Sequence, residues 1–209
     1  MEHVYLHGLG DSPSVWRDIA TKIPSEKSSI LPLGDWFDKE HPHYRQLYEG
    51  LENYCHATSE PLVLSGHSLG AILALHYAAA HQDKVSGLIL ISAQYKTPKW
   101  LIKVQNFIFH FMPEQTFKGL GLTKNRAIEF MNSMVDVNLE EKLSAVSCPT
   151  LVLCGTKDVP NKRAARELAK RIKVAQLEWI EGGAHQVLTS HLGQIEEVIS
   201  KFLESQVRL

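Results

Sequence analysis

The sequence contains few cysteines and no segment with the features of a membrane span or a secretory signal. Its three cysteines, Cys55, Cys148 and Cys154, include no C-x-x-C pair, so we expect reduced thiols. No apolar run approaches the roughly 20 residues that cross a bilayer, and the residues after Met1 lack a basic stretch followed by an apolar one. Together these absences predict a cytoplasmic protein with no membrane span.

Neither sign of charge is in excess. The 22 Lys and Arg residues nearly balance the 23 Asp and Glu residues, which gives a formal net charge of -1. Without a basic patch we expect no nucleic-acid partner. Hydrophobic residues make up 44% of the 209 residues, which is typical of a globular protein with one well-filled core. We therefore predict a single domain over residues 1–209, of unknown oligomeric state.

Short apolar runs alternate with segments of helical periodicity along the chain. Predicted strands cover residues 3–6, 29–33, 61–64, 87–91, 150–154 and 175–180. This alternation predicts an α/β fold, with a doubly wound and mostly parallel sheet of about six strands. The loops after four of these strands, at residues 7–12, 66–70, 155–160 and 182–186, are then expected at the edge where such sheets bind ligands. Asp11 or Ser12 is the predicted cap of the first helix.

Residues 94–136 interrupt the alternation. Helical spacing of apolar residues predicts one helix from the positions Trp100, Leu101, Val104, Phe107, Ile108 and Phe111. A break at Gly119-Leu120-Gly121 and a second helix over residues 127–134 follow. We predict that residues 94–136 form a small helical cap inserted between two strands. The aromatic residues of the cap include Trp100, Phe107, Phe109 and Phe111. The sequence leaves open whether they line a pocket or only pack on the core.

The segment from Val63 to Ala80 has the arrangement of a nucleophile elbow. An apolar strand leads into Gly66-His67-Ser68-Leu69-Gly70, and an Ala- and Leu-rich helix follows at once. A strand-to-helix turn this sharp strains the serine backbone and leaves no room for a Cβ at the two glycines. It also directs the Ser68 hydroxyl out of the sheet, beside the N-terminus of the helix.

A serine hydroxyl is a weak nucleophile at neutral pH and needs a nearby base, which in turn needs an orienting acid. His185, in the loop after the last predicted strand, is the candidate base. Asp158, after the preceding strand, is the candidate acid, with Asp136 and Glu181 as competitors. The chain order Ser68, Asp158, His185 is that of hydrolases built on a nucleophile elbow.

Histidine is frequent, with 11 residues, so a histidine alone indicates little. The pair in His41-Pro42-His43 suggests a metal site, but no third ligand is evident nearby. We expect no metal and no organic cofactor. His67 is predicted to pack beneath the elbow, and His7 to brace its own loop.

Four motifs in this order make the chain resemble an α/β-hydrolase over nearly its whole length. The elbow matches the family pattern, and His7-Gly8-Leu9-Gly10 resembles its His-Gly oxyanion loop. The segments Cys154-Gly155-Thr156-Lys157-Asp158 and Gly183-Ala184-His185 resemble its acid and histidine loops. The resemblance implies that Ser68 is the nucleophile, His185 the base and acid, and Asp158 the orienting group. It also implies an oxyanion hole formed by the backbone N–H groups of Leu9 and Leu69. The family usually has two more strands before the His-Gly strand, so a fold trimmed at the N-terminus is expected.

The activity implied by this resemblance is that of a serine carboxylesterase that forms an acyl-enzyme on a small-molecule ester. Serine at position 68 argues against dehalogenase-like and epoxide-hydrolase-like relatives, which have aspartate there. The six basic and three acidic residues over 94–136 disfavour a cationic substrate, and the apolar content favours an apolar acyl or alcohol group. A thioesterase or lipase-like enzyme is an open alternative. So is a ligand-binding signalling protein on the same fold with slow or no turnover.

Overall fold

The computed structural model of the chain describes residues 1–23, 25–97, 102, 107, 109–115, 117 and 121–207. Within these residues one sheet contains six strands: β1 Glu2–Leu6, β2 Lys27–Leu31, β3 Leu62–His67, β4 Val85–Ile91, β5 Thr150–Gly155 and β6 Ala175–Ile180. The strands lie in the order β2-β1-β3-β4-β5-β6, and every neighbouring pair is parallel. The predicted fold class is confirmed, and the sheet is parallel throughout.

The helices connect successive strands and cover both faces of the sheet. Seven α-helices are described: α1 Arg17–Lys22, α2 Tyr44–His56, α3 Leu69–Ala80, α4 Lys124–Ser133, α5 Val159–Arg171, α6 Val187–Ser190 and α7 Leu192–Gln206. Short 3₁₀ helices lie at Pro13–Trp16, Leu33–Asp35, Gln82–Lys84 and Glu140–Ala145. Among the described residues, no helix has both the length and the apolar character that crossing a membrane requires.

The central strands are buried on both faces, which explains their nearly continuous apolar sequences. Alternate side chains of one strand belong to different cores: Leu64 and Leu90 pack with α2 and α3, whereas Val63 and Ile89 pack with α1 and α7. The second core also includes Trp16, which is fully buried against Tyr5. The three cysteines are free and buried.

The edge strand β2 is the clearest departure from the predicted boundaries. It covers Lys27–Leu31, two residues earlier than predicted, and Leu33 begins a 3₁₀ helix instead. Pro32 accounts for this difference because proline has no N–H to donate to the strand ladder. The predicted first helix is divided into the 3₁₀ helix Pro13–Trp16 and α1.

The segment between β4 and β5 is described only in part. The positions Trp100, Leu101, Val104, Ile108, Gly119 and Leu120, on which the predicted cap helix and break depend, lie outside the described residues. Helix α4 begins three residues before the predicted helix, because the Thr123 side chain accepts a hydrogen bond from the backbone N–H of Arg126. Phe109 and Phe117 are buried and pack edge to face, whereas Phe107 and Phe111 are exposed.

Candidate active site

Ser68 lies in a strained turn between β3 and α3. Its backbone has φ 53° and ψ -110°, a conformation that non-glycine residues adopt at a cost. The turn also requires close backbone contacts. A Cβ on Gly66 would lie 2.3 Å from the carbonyl oxygen of Gly70, and one on Gly70 would lie 2.2 Å from the carbonyl oxygen of Leu6. These contacts place the Ser68 hydroxyl at the carboxyl end of the sheet, next to the first turn of α3.

The three loops after β3, β5 and β6 bring Ser68, Asp158 and His185 together. The Ser68 Oγ lies 3.0 Å from Nε2 of His185, and Nδ1 of His185 lies 3.1 Å from Oδ2 of Asp158. With Nδ1–H donating to the carboxylate, Nε2 is free to accept the serine proton. Asp158 is 3% exposed, whereas the His185 side chain is 42% exposed, so the histidine is open to a ligand and the acid is not. Asp136 and Glu181, the competing acids, are not in this set of hydrogen bonds.

Asn161 also contacts this group and was not predicted from the sequence. Its side-chain Nδ2 lies 2.8 and 2.9 Å from the two carboxylate oxygens of Asp158, and Gln94 Nε2 donates to its Oδ1 at 2.7 Å. Burial alone would raise the pKa of Asp158, but hydrogen bonds from His185 and Asn161 outweigh it, and the pKa lies below its ordinary value. Its place in the sequence could have indicated this contact, because Asn161 is in the first turn of α5, three residues after Asp158.

A second, buried set of hydrogen bonds lies behind His185. Asp11 Oδ2 accepts from Nδ1 of His67 at 2.6 Å and from the backbone N–H of Gly8 at 3.1 Å. His67 Nε2 donates to the backbone carbonyl of His185 at 3.0 Å. Both ring nitrogens of His67 therefore face acceptors, a carboxylate on one side and a backbone carbonyl on the other. Burial alone would raise the pKa of Asp11, but its interactions with His67, the backbone N–H of Gly8 and His7 together outweigh burial, and the pKa lies below its ordinary value.

The predicted helix cap is confirmed in position at Ser12 but not in its side-chain hydrogen bond. Ser12 occupies the N-cap position of the Pro13–Trp16 helix but makes no capping hydrogen bond with its side chain, and Asp11 bonds to His67 and Gly8 instead. The contacts with His67 and with the Gly8 N–H satisfy Asp11 Oδ2, so this carboxylate holds its own loop against the elbow and does not cap the helix. His67 lies buried beneath the elbow, as predicted, and Nδ1 of His7 bonds to the carbonyl of Gly8 within its own loop.

Ser68 and His185 lie between two cavities. The larger cavity, of about 500 Å³, has a mainly apolar wall surface, to which Leu9, Leu69, Ile72, Met131 and Met134 contribute. The smaller, of about 190 Å³, is lined by Phe109, Met112 and Phe117 together with the loop of residues 8–11. Phe109 therefore lines a cavity at the site, Phe107 and Phe111 are exposed, and Trp100 lies outside the described residues.

His43, one of the two histidines in His41-Pro42-His43, caps helix α2. Nδ1 of His43 accepts from the backbone N–H of Arg45 at the start of α2, and the Gln46 side chain accepts from the His43 backbone, which completes a capping box. In the part of the chain that the structure describes, three potential metal ligands come together at one other place, Glu52, His56 and His81. That place is not at Ser68.

Comparison with known proteins agrees with this architecture. The family model of the alpha/beta hydrolase family matches residues 4–199, and the chain belongs to this family. The predicted resemblance is thereby confirmed.

Two curated relatives are similar in sequence over part of their length. A proline iminopeptidase of Saccharolobus solfataricus is 26% identical over 198 residues, covering 70% of this chain and 63% of that protein. A pimeloyl-[acyl-carrier protein] methyl ester esterase of Vibrio vulnificus is 28% identical over 138 residues, covering 62% of this chain and 53% of that protein. The chain thus spans between about half and two thirds of the length of these relatives.

Solved structures share the fold at low sequence identity. MenH from S. aureus superposes with a TM-score of 0.80 at 17% identity, covering 100% of this chain and 95% of that one. A thermophilic esterase from Thermogutta terrifontis also has a TM-score of 0.80, at 19% identity, covering 100% of this chain and 91% of that one. These similarities concern the fold alone.

Proposed function

We propose that this protein is a serine hydrolase that cleaves a carboxylic ester through an acyl-enzyme, with Ser68, His185 and Asp158 as its catalytic triad. The observation that carries the proposal is the continuous series of hydrogen bonds from the Ser68 hydroxyl through His185 to a buried, ionised Asp158. This geometry matches the roles of nucleophile, base and orienting acid that acyl transfer requires. The esterase name of one relative supports the same reaction class.

In the first half-reaction, His185 Nε2 takes the Ser68 proton as the oxygen attacks the ester carbonyl. Asp158 holds the imidazole in the tautomer with hydrogen on Nδ1 and stabilises the imidazolium that forms. We assign the oxyanion hole to the backbone N–H groups of Leu9 and Leu69, whose residues line the cavity at Ser68. A donor of this kind typically lowers the barrier by about 3 kcal/mol.

The first half-reaction ends when the imidazolium of His185 gives its proton to the leaving alkoxide, which departs as the alcohol and leaves the acyl group on Ser68. In the second half-reaction, His185 removes a proton from water as the water oxygen attacks the acyl-enzyme. His185 then gives that proton to the Ser68 oxygen, which releases the carboxylic acid and restores the Ser68 hydroxyl. No step requires a metal or an organic cofactor.

The cavities indicate an apolar ester of modest size. The larger one is in the size range of small-molecule sites and has flexible Met131 and Met134 on its wall, so it suits an aliphatic or aromatic acyl group. Asp158 is the one carboxylate among its described lining residues, and it is bonded to His185 and Asn161. The cationic amine of a peptide would therefore lack a partner among those residues, which favours an ester over a peptide substrate.

We also propose that residues 94–136 act as the cap of this site, within a single domain of residues 1–209. Support comes from α4, which supplies Met131 to the larger cavity, and from Phe109 and Phe117, which line the smaller one. A cytoplasmic location is a further prediction, supported by the three buried free thiols. The proposed partner is a small-molecule ester, with no nucleic acid.

Hydrolysis of p-nitrophenyl esters of increasing acyl length tests the proposal. Wild-type protein is measured beside Ser68→Ala, with Ser144→Ala, an exposed serine in a 3₁₀ helix, as the matched control. We expect turnover by wild type and Ser144→Ala, and none above background for Ser68→Ala. Equal rates for wild type and Ser68→Ala would exclude Ser68 as the nucleophile.

The same series distinguishes the alternatives. Faster turnover of a thioester than of the matched oxygen ester would indicate a thioesterase, and a preference for long chains that increases at an oil–water interface would indicate a lipase. Absence of turnover across the series, with Ser68 still modified by a fluorophosphonate, would favour the signalling protein with slow or no turnover.

A further inference from the structure

We propose that Glu52, His56 and His81 form a zinc site at the end of the molecule opposite Ser68. Glu52 and His56 are four residues apart and therefore lie on one face of the last turns of α2. His81 directly follows α3 and faces them. One ligand atom from each of the three side chains lies within 4.8 Å of the other two.

The site is separate from the catalytic residues. Helix α3 begins beside Ser68 and ends at Ala80, twelve residues later. At about 1.5 Å per residue, this places His81 roughly 18 Å from the elbow, near the amino ends of the strands.

The ligand set selects a transition metal over calcium or magnesium. Two imidazoles and one carboxylate suit zinc, whereas Ca²⁺ and Mg²⁺ require oxygen ligands. Ligands at about 2.1 Å from a tetrahedral zinc lie roughly 3.4 Å apart. The three ligand atoms lie within 4.8 Å of one another and His56 is exposed, so rotation of its side chain toward the other two would approach that spacing. Water would complete the coordination.

Neighbouring groups already hold two of the ligands in place. His81 Nε2 lies 2.8 Å from Oε1 of Glu52, and its ring stacks on Tyr77 with centroids 4.4 Å apart. Partners of this kind orient ligands and reduce the conformational freedom that metal binding would otherwise remove. The His56 ring meets the His81 ring edge to face at 5.1 Å.

Zinc at this position would cross-link the carboxyl-terminal ends of α2 and α3. In the absence of metal, the Glu52–His81 contact is partly exposed and adds little stability. A metal that binds the folded chain stabilises it in proportion to the logarithm of its concentration over the dissociation constant. At a zinc concentration 100 times that constant, we expect the melting temperature to rise by roughly 5–10 °C.

The experiment uses the full chain without an affinity tag, treated with EDTA and dialysed, and titrated with ZnCl₂ in a calorimeter and in thermal unfolding. We expect one zinc per chain, a rise in melting temperature, and no rise with MgCl₂ or CaCl₂. His56→Ala should lose the rise and weaken binding by at least 10-fold. His41→Ala, another exposed histidine, and His185→Ala, at the candidate active site, should retain both.

His56→Ala is the decisive variant because His56 is exposed and its loss leaves the Glu52–His81 contact intact. Glu52→Gln and His81→Ala provide independent tests at the other two ligands. Absence of stoichiometric zinc binding to the wild-type chain would overturn the proposal. Binding that is undiminished in His56→Ala, or that disappears in His185→Ala or His41→Ala, would also overturn it.

Discussion

Two buried carboxylates, Asp158 and Asp11, hold His185 in place at the site, and each is paired with a histidine. Asp158 orients His185 through the ring, and Asp11 acts through His67 on the backbone carbonyl of His185. One pair therefore orients the His185 ring and the other holds the loop that carries it. Both carboxylates have a pKa below the ordinary value in spite of burial.

Asp158→Asn should reduce kcat on the order of 10⁴-fold, the size of the effect of the same change in another serine triad. The amide offers its N–H₂ to His185 Nδ1, which favours the tautomer that cannot accept the Ser68 proton. Steady-state hydrolysis of a p-nitrophenyl ester measures the effect. Glu181→Gln, which changes the competing acid, should keep the wild-type rate. Near-normal activity of Asp158→Asn would assign the acid to another residue.

Asp11→Ala should lower the free energy of unfolding by about 3 kcal/mol, because it leaves the buried Nδ1 of His67 and the backbone N–H of Gly8 without their acceptor. It should also lower kcat more than it changes KM, since the His185 loop loses a support. Urea unfolding and ester hydrolysis measure the two effects. The control is Asp18→Ala, an exposed aspartate in α1, with an expected change within about 0.5 kcal/mol. Equal stability of the two variants would contradict a stabilising role for the buried Asp11–His67 contact.

At the scale of secondary-structure elements, the crossing of β1, β3 and α3 determines where Ser68 lies. A Cβ on Gly70 would meet backbone atoms of Leu6 in β1, and backbone cannot move aside as a flexible side chain does. The conformation of the elbow therefore depends on the packing of α3 against β1 as well as on the turn itself.

Gly70→Ala should destabilise the fold by about 3 kcal/mol or more and abolish ester hydrolysis, because β1 or α3 must shift. Gly193→Ala is the matched control, since Gly193 also lies in the first turn of a helix, α7, and nothing lies within 4 Å of the added Cβ. We expect that control to be neutral or more stable by up to about 1 kcal/mol. Thermal unfolding compares them, and similar melting temperatures would contradict the close packing at the elbow.

The sequence predicted those features that depend on local pattern. The six strands, the elbow and the loops that carry Asp158 and His185 follow from apolar runs and from glycine-rich turns near the strand ends. The Asp11–His67 pair joins residues 56 positions apart, so no local signal contained it, and Asp11 resembled a helix cap. The end of β2 was misplaced because apolar character continues through Pro32, where strand hydrogen bonding stops.

On the scale of the whole molecule, buried neutral histidines make the stability of the fold depend on pH. His3 is a residue of β1, and its Nε2 lies 2.7 Å from Ser65 Oγ in the adjacent β3, while its Nδ1 lies 3.0 Å from the Tyr5 hydroxyl. Burial lowers the pKa of His3 from 6.5 to about 3. The unfolded chain therefore binds a proton at pH values where the folded chain does not, and stability must fall as the pH is lowered from 6.5 toward 3.

We expect the free energy of unfolding to lose up to about 1.4 kcal/mol per pH unit in this range through His3 alone. Urea unfolding at several pH values from 4 to 7 measures the slope. His3→Gln should be less stable at pH 7 but show a shallower slope, and His41→Gln, at an exposed histidine, should keep the wild-type slope. The same slope in His3→Gln and wild type would show that His3 does not contribute.

The most direct test of the central claim is to map the site of reaction with a fluorophosphonate by mass spectrometry of the intact chain and its peptides. The proposed triad predicts one adduct per chain, on Ser68, with none in Ser68→Ala and much slower labelling in His185→Ala. An adduct on another residue, or labelling at an unchanged rate in His185→Ala, would contradict a Ser68 nucleophile activated by His185.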